Sequence, residues 1–86
     1  NPYSPQRHDI VRLKFSVEET GNVKIRIFDY GSNLVRTINS GSYSPGTYEA
    51  IWNGKNREGL QVANGTYFYH VDLPGGSANG KILVLD

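Results

Sequence analysis

The 86-residue chain has no cysteine, no methionine, one tryptophan and four prolines. Without cysteine there is neither a disulfide scaffold nor a zinc–thiolate site. With no methionine anywhere, the stretch reads as a module belonging to a larger protein. Long apolar runs are also missing. The longest, Ile82-Leu83-Val84-Leu85, is far short of the roughly 18–20 residues a membrane-spanning helix needs. The first twenty residues hold nothing like the apolar region of a signal peptide. Neither sign of charge dominates: nine Lys and Arg against eight Asp and Glu leave a net charge of +1. A dedicated nucleic-acid binder would carry a broad basic footprint, and this chain does not. What remains is 37% hydrophobic residues, 20% charged residues and ten glycines, a globular composition. A chain of this size buries only about 60–65% of its unfolded surface. One compact core must therefore stabilise it, with little left for a deep cavity.

The hydrophobic pattern has period two. Val11, Leu13, Phe15 and Val17 alternate with Arg12, Lys14 and Ser16, and Val23, Ile25 and Ile27 alternate with Lys24, Arg26 and Phe28. Both stretches read as half-buried strands. Gly21-Asn22 and Gly31-Ser32-Asn33 mark turns. Leu34 to Ile38 predicts a third strand, followed by a polar loop over residues 39–46. Tyr48, Ala50 and Trp52 face one side of a fourth strand, and residues 53–59 form a loop. Residues 60–63 read as a short edge strand, Thr66 to Leu73 as a long aromatic strand, and Lys81 to Leu85 as the last, with Pro74-Gly75-Gly76-Ser77 breaking the chain between them. No segment carries a helical apolar period. About seven short strands with frequent turns predict an antiparallel β-sandwich of the Ig or FnIII kind. Residues 1–9, opening Asn1-Pro2-Tyr3-Ser4-Pro5, read as a linker or lead-in strand, and 10–86 as a single sandwich domain.

Candidates for chemistry are few, and none is expected to be catalytic. His8 adjoins Asp9, but neighbours in an extended chain point to opposite sides. His70 shares a face with Phe68, opposite Tyr67, Tyr69 and Val71. A catalytic triad needs a base oriented by a third group, and no pattern here supplies one. Asp29 and Asp72 both end strands, a place where acids usually form turns. The loop Asn53-Gly54-Lys55-Asn56-Arg57-Glu58-Gly59 places oxygens at alternate positions but holds one carboxylate and two cations. That is a poor calcium site and a good tight turn, so neither metal nor cofactor is expected. Arg12, Lys14, Lys24 and Arg26 occupy outward positions of the first two strands. If those strands pair, four cations share one solvent face, either as protection against edge aggregation or as a surface for an anionic partner such as a polysaccharide. Tyr30 and Tyr43, read as loop residues, are the aromatics available for carbohydrate. Trp52 is expected in the core. Ala63-Asn64-Gly65-Thr66-Tyr67 resembles a tyrosine corner, and Asn64-Gly65-Thr66 also fits a glycosylation acceptor.

Together these segments resemble a known family. Val23 to Asp29 matches its alternating strand ending in aromatic-Asp, and Gly31 to Thr37 its Gly-x-x-Val-Arg segment. Gly46-Thr47-Tyr48, Trp52-Asn53-Gly54-Lys55-Asn56 and Gly59 to Tyr69 follow, and Lys81 to Leu85 closes the match. The chain is similar to the FlgD-type Ig-like domain and to the related C-terminal sorting domain of type IX secretion. Its structural signature is then Trp52, Gly54, Gly59, Gly65 and Tyr67. The resemblance implies a non-catalytic C-terminal accessory module of a secreted or surface bacterial protein. In that reading it acts in sorting through exposed strand edges and the terminal stretch Lys81, Ile82, Leu83, Val84, Leu85 and Asp86. Implied partners are neighbouring domains of the parent and the outer-membrane secretion machinery. Other uses are a carbohydrate- or surface-binding module, a spacer stabilising a catalytic neighbour, or a scaffold domain of the flagellar hook-cap type. Sorting domains commonly finish with a basic residue, whereas Asp86 ends this stretch.

Overall fold

The computed structural model describes residues 11–85. The lead-in, His8, Asp9 and Asp86 lie outside the described residues. Within them the chain forms six strands and no helix: β1 (Val11–Val17), β2 (Gly21–Phe28), β3 (Leu34–Tyr43), β4 (Gly46–Trp52), β5 (Gly65–Leu73) and β6 (Gly76–Val84). All pairings are antiparallel. β1 and β4 make a two-stranded sheet, and the other four make a sheet in the order β3-β2-β5-β6. The two sheets form an Ig-like sandwich.

The period-two pattern is the cause. Leu13, Phe15 and Val17 from β1 and Ala50 and Trp52 from β4 point into one core with Val23, Ile25 and Ile27 from β2. Tyr67 and Val71 from β5 and Ile82 and Val84 from β6 complete it. Each of these strands turns a row of apolar residues to one face, and the rows are covered when the sheets stack face to face.

Three elements differ from the sequence expectation. β3 runs on to Tyr43 through the stretch read as a polar loop, because Asn39 to Ser42 pair with Ile25 to Asn22 of β2. Pairing with a well-patterned neighbour overrides weak local propensity. Pro74-Gly75-Gly76-Ser77 does not break the chain for long. Leu73 faces Gly76 across a Pro-Gly turn with Gly75 at φ 81°, which only glycine adopts without strain, and β6 therefore starts five residues before Lys81. The short strand at 60–63 is absent. Its single remnant is an isolated bridge between Lys55 and Gln61, so the described strands number six rather than seven.

The first two strands do not pair with each other. A Cβ on Gly21 would stand 2.6 Å from Cγ of Pro74. The start of β2 is thus packed against the β5–β6 turn, and the three residues after β1 carry the chain from one sheet to the other.

Candidate functional site

Three regions hold the residues singled out by the sequence: the block around Trp52 and Tyr67, the outer faces of the sheets, and the terminal strand.

In the first, Trp52 is fully buried, and its indole N–H donates to the carbonyl of Lys55 at 2.9 Å. The ring meets Tyr67 edge-on, with centroids 5.7 Å apart. The Tyr67 hydroxyl donates to the carbonyl of Ala63 at 2.7 Å, four residues upstream, as a tyrosine corner does. Burial, and secondarily the nearby Asp29 carboxylate, raises the Tyr67 hydroxyl above its ordinary pKa of 10.0. The intervening loop turns at Gly54 (φ 75°) and Gly59 (φ 84°), both in the region that favours glycine. Gly65 opens β5. The loop oxygens already serve N–H groups. Asn56 Oδ1 accepts from the amides of Glu58 at 2.9 Å and Leu60 at 3.0 Å. The carbonyl of Gly54 accepts from the Val62 amide at 3.0 Å and from Gln61 Nε2 at 2.7 Å. The loop is an internally hydrogen-bonded turn, and no group of three His, Asp or Glu that could hold a metal occurs among the described residues.

The four cations do not share a face. Because β1 and β2 belong to different sheets, Arg12 and Lys14 lie on the outside of one sheet and Lys24 and Arg26 on the outside of the other. Two of them are also paired: Arg12 Nη1 with Glu49 Oε1 at 2.9 Å, and Arg26 Nη2 with Asp72 Oδ2 at 2.6 Å. The expectation of a single basic stripe fails on topology.

The outer face of the four-stranded sheet carries what the sequence left undecided. In β5 it is Tyr67 and Val71 that point inward, so Phe68, His70 and Asp72 lie on the outside. His70 Nε2 stands 2.8 Å from Asp72 Oδ1. Asp72 therefore joins Arg26 and His70, while the Asp29 carboxylate accepts from the Asn33 amide at 2.9 Å and so closes the turn after β2. The His70 hydrogen bond and the Arg26 charge hold Asp72 below its ordinary value of 3.8, outweighing partial desolvation. Phe28 and Phe68 face each other in register, and the Arg26 guanidinium lies 5.9 Å from the centre of the Phe28 ring. With Ser32, His70, Asn79 and Lys81, the two rings line an open trough of about 710 Å³. Tyr30, 81% exposed, stands beside it with its ring 6.2 Å from Phe68. Sequence reasoning missed the trough. Its signal was present in Ile27-Phe28 and Tyr67-Phe68-Tyr69, where bulky groups occupy both phases of a two-residue period. Tyr43, a loop aromatic by its sequence context, lies instead in β3 and packs half-buried against Phe15 and Tyr48 at 5.7 and 4.9 Å. It is not available as a platform.

The terminal residues form the edge of the larger sheet. β6 pairs with β5 on one side through nine successive positions, with no second partner strand among the described residues. Ile82 and Val84 point into the core, while Lys81, Leu83 and Leu85 are exposed. Gly54 and Gly59 shape the loop between β4 and β5, and Gly65 opens β5 opposite Val84.

Among curated proteins, none matches this chain in sequence. Among solved structures, the chain is similar to dimeric latent PorU from Porphyromonas gingivalis, with a TM-score of 0.62 and 23% identity. The match covers 86% of this chain and only 8% of that one, and it shows a shared fold. The model of the FlgD Ig-like domain matches residues 9–81. That span takes in both halves of the Trp52–Tyr67 block and five complete strands, and the chain belongs to the FlgD Ig-like domain family.

Proposed function

We propose that residues 10–86 are a non-catalytic C-terminal accessory module of a larger exported bacterial protein, with 1–9 as its lead-in. The module works in sorting and secretion of the type IX kind, through strand-edge recognition along β6. Its place is the cell surface or the medium, and its partners are the neighbouring domains and the outer-membrane secretion machinery.

The observation that carries the reading is the difference between the two edges of the larger sheet. β3 pairs with β2 through two register shifts, and such irregularities twist an edge away from further pairing. The other edge, β6, is nine residues long and free of shifts, and Lys81 is its sole charged residue. A regular, unguarded edge is what β-augmentation by a partner strand requires. Leu83 and Leu85, 44% and 42% exposed, add apolar contact beside it. Family membership supports the accessory role, as does the fold shared with a small part of a much longer chain.

The test is mass spectrometry of the parent protein from cells and from medium, together with the doubly substituted Leu83→Lys, Leu85→Lys parent. Expected are peptides of this domain in the cellular precursor and none in the exported form. The folded variant should accumulate inside. Export of the variant at the normal rate, with the domain still attached, overturns the sorting role.

A further inference from the structure

We propose that the outer face of the four-stranded sheet binds acidic polysaccharide, taking the pyranose rings of a uronate-bearing chain in the trough over Phe28 and Phe68. The site uses the outer face of the sheet rather than the backbone edge of β6, and three observations converge on it.

The first is shape and lining. The solvent side of an antiparallel sheet is ordinarily polar. Here two half-buried phenyl rings, paired in register across β2 and β5, floor an open trough of about 710 Å³. Small-molecule sites have this character, an apolar and aromatic floor with a few polar groups at the rim. The rim groups are Ser32, His70, Asn79 and Lys81, which between them can donate and accept as a ring of hydroxyls demands.

The second is presentation. An aromatic that is 81% exposed usually swings freely, and holding it costs entropy on binding. Tyr30 sits in a braced turn. The Asp29 amide donates to Asn33 O at 3.0 Å, the Ser32 amide to Asp29 O at 3.0 Å, and the Asn33 amide to the Asp29 carboxylate at 2.9 Å. Ser32 itself adopts φ 66°, uncommon for a residue with a Cβ. Backbone strain of this sort collects at ligand-binding turns. The Tyr30 ring lies at 32° to Phe68, with centroids 6.2 Å apart, so the two rings form a bent platform suited to the apolar faces of consecutive sugars.

The third is charge. The residues with a fixed charge in β2, β5 and β6 are Lys24, Arg26, Lys81 and Asp72, three cations against one carboxylate. Asp72 is taken up by Arg26 and His70. Lys81 faces Phe68 in register, which places an exposed ammonium at the side of the aromatic floor. That arrangement complements a carboxylate carried on a sugar ring. A flat protein partner would bury the rim without filling the trough.

The probe is tetragalacturonate, with maltotetraose as the neutral control, titrated into the 86-residue protein and followed by amide NMR. Expected are saturable shifts at Tyr30, Ser32, Phe68, Asn79 and Lys81, weakened by added salt. Tyr30→Ala and Lys81→Gln should each weaken binding roughly tenfold, or about 1.4 kcal/mol, with the rest of the spectrum unchanged. Arg12→Gln, on the opposite sheet, should leave affinity as it was. Equal affinity for the neutral sugar, shifts centred elsewhere, or no saturable binding at millimolar ligand overturns the proposal. So does finding that the same face is covered by a neighbouring domain in the intact parent.

Discussion

Trp52 is the residue on which the core depends most. It is the largest fully buried side chain, and its one polar atom is satisfied by Lys55. Trp52→Ala should cost about 3–5 kcal/mol, against a total stability of roughly 5–10 kcal/mol for a domain of this size. A melting temperature within a few degrees of the parent's would contradict the burial. Tyr67→Phe keeps the ring against Trp52 and removes only the bond to Ala63. The expected loss is about 1 kcal/mol, read by urea denaturation. Because the hydroxyl is raised above 10.0, its contribution is complete below pH 10 and fades as pH climbs past it; the Phe variant should therefore lose less stability than the parent in that alkaline range. Asp72 works in the opposite sense. Its folded pKa lies below 3.8, so its contribution is present above that value and is lost as pH falls through the lowered one. Asp72→Asn should flatten the acid limb of the stability curve below about pH 4. An unchanged acid limb would show that the contacts to Arg26 and His70 contribute nothing to folding.

Among the elements, β1, β2 and β4 were legible because each sets inward-facing apolar residues in strict alternation, three of them core residues in β1 and in β2, and half-buried Tyr48 with Ala50 and Trp52 in β4. β3 was half legible. Its burial pattern is irregular, since two register shifts break the period that reading relies on. The first half of β6 was illegible for another reason. Gly76 to Gly80 is a run of small and polar residues held in the sheet by what stands opposite. Tyr69 faces Gly80 in register, and a Cβ there would come within 2.6 Å of the Tyr69 ring. An aromatic laid over a glycine of an edge strand replaces the side chain the glycine lacks. Gly80→Ala should therefore destabilise by about 1–3 kcal/mol through overpacking, despite the better strand propensity of alanine. Tyr69→Leu should remove most of that penalty in a double-mutant cycle. Additive effects of the two substitutions would show that the ring does not lie over Gly80. At the candidate sites the same division holds. The Trp52–Tyr67 block could be read from local motifs, whereas the trough needed the knowledge that β2 and β5 are neighbours, a pairing 40 residues distant in sequence between Phe28 and Phe68.

For the molecule as a whole, the question is whether two sheets of unequal size unfold as one. Among the described residues β1 and β4 pair only with each other and share no ladder with the larger sheet, so hydrogen bonding alone would let them peel away. The core argues otherwise. Leu13, Phe15, Val17, Ala50 and Trp52 supply five of the twelve buried hydrophobic residues among those described. At roughly 1.5–3 kcal/mol for each large side chain, exposing them would cost on the order of 10 kcal/mol. That equals or exceeds the whole stability expected of the domain, and it would also uncover Val23, Ile25 and Ile27 beneath. Partial opening is then no cheaper than complete unfolding, and the transition should be two-state. The sole tryptophan lies in β4, so its fluorescence reports the smaller sheet, while amide exchange in Ile25 and Val71 reports the larger. Both probes should give the same urea midpoint and the same unfolding free energy. A fluorescence transition that precedes the loss of protection at Ile25 would mean that β1 and β4 form a separable layer, and that the sandwich is held together less by its shared core than by the ladders within each sheet.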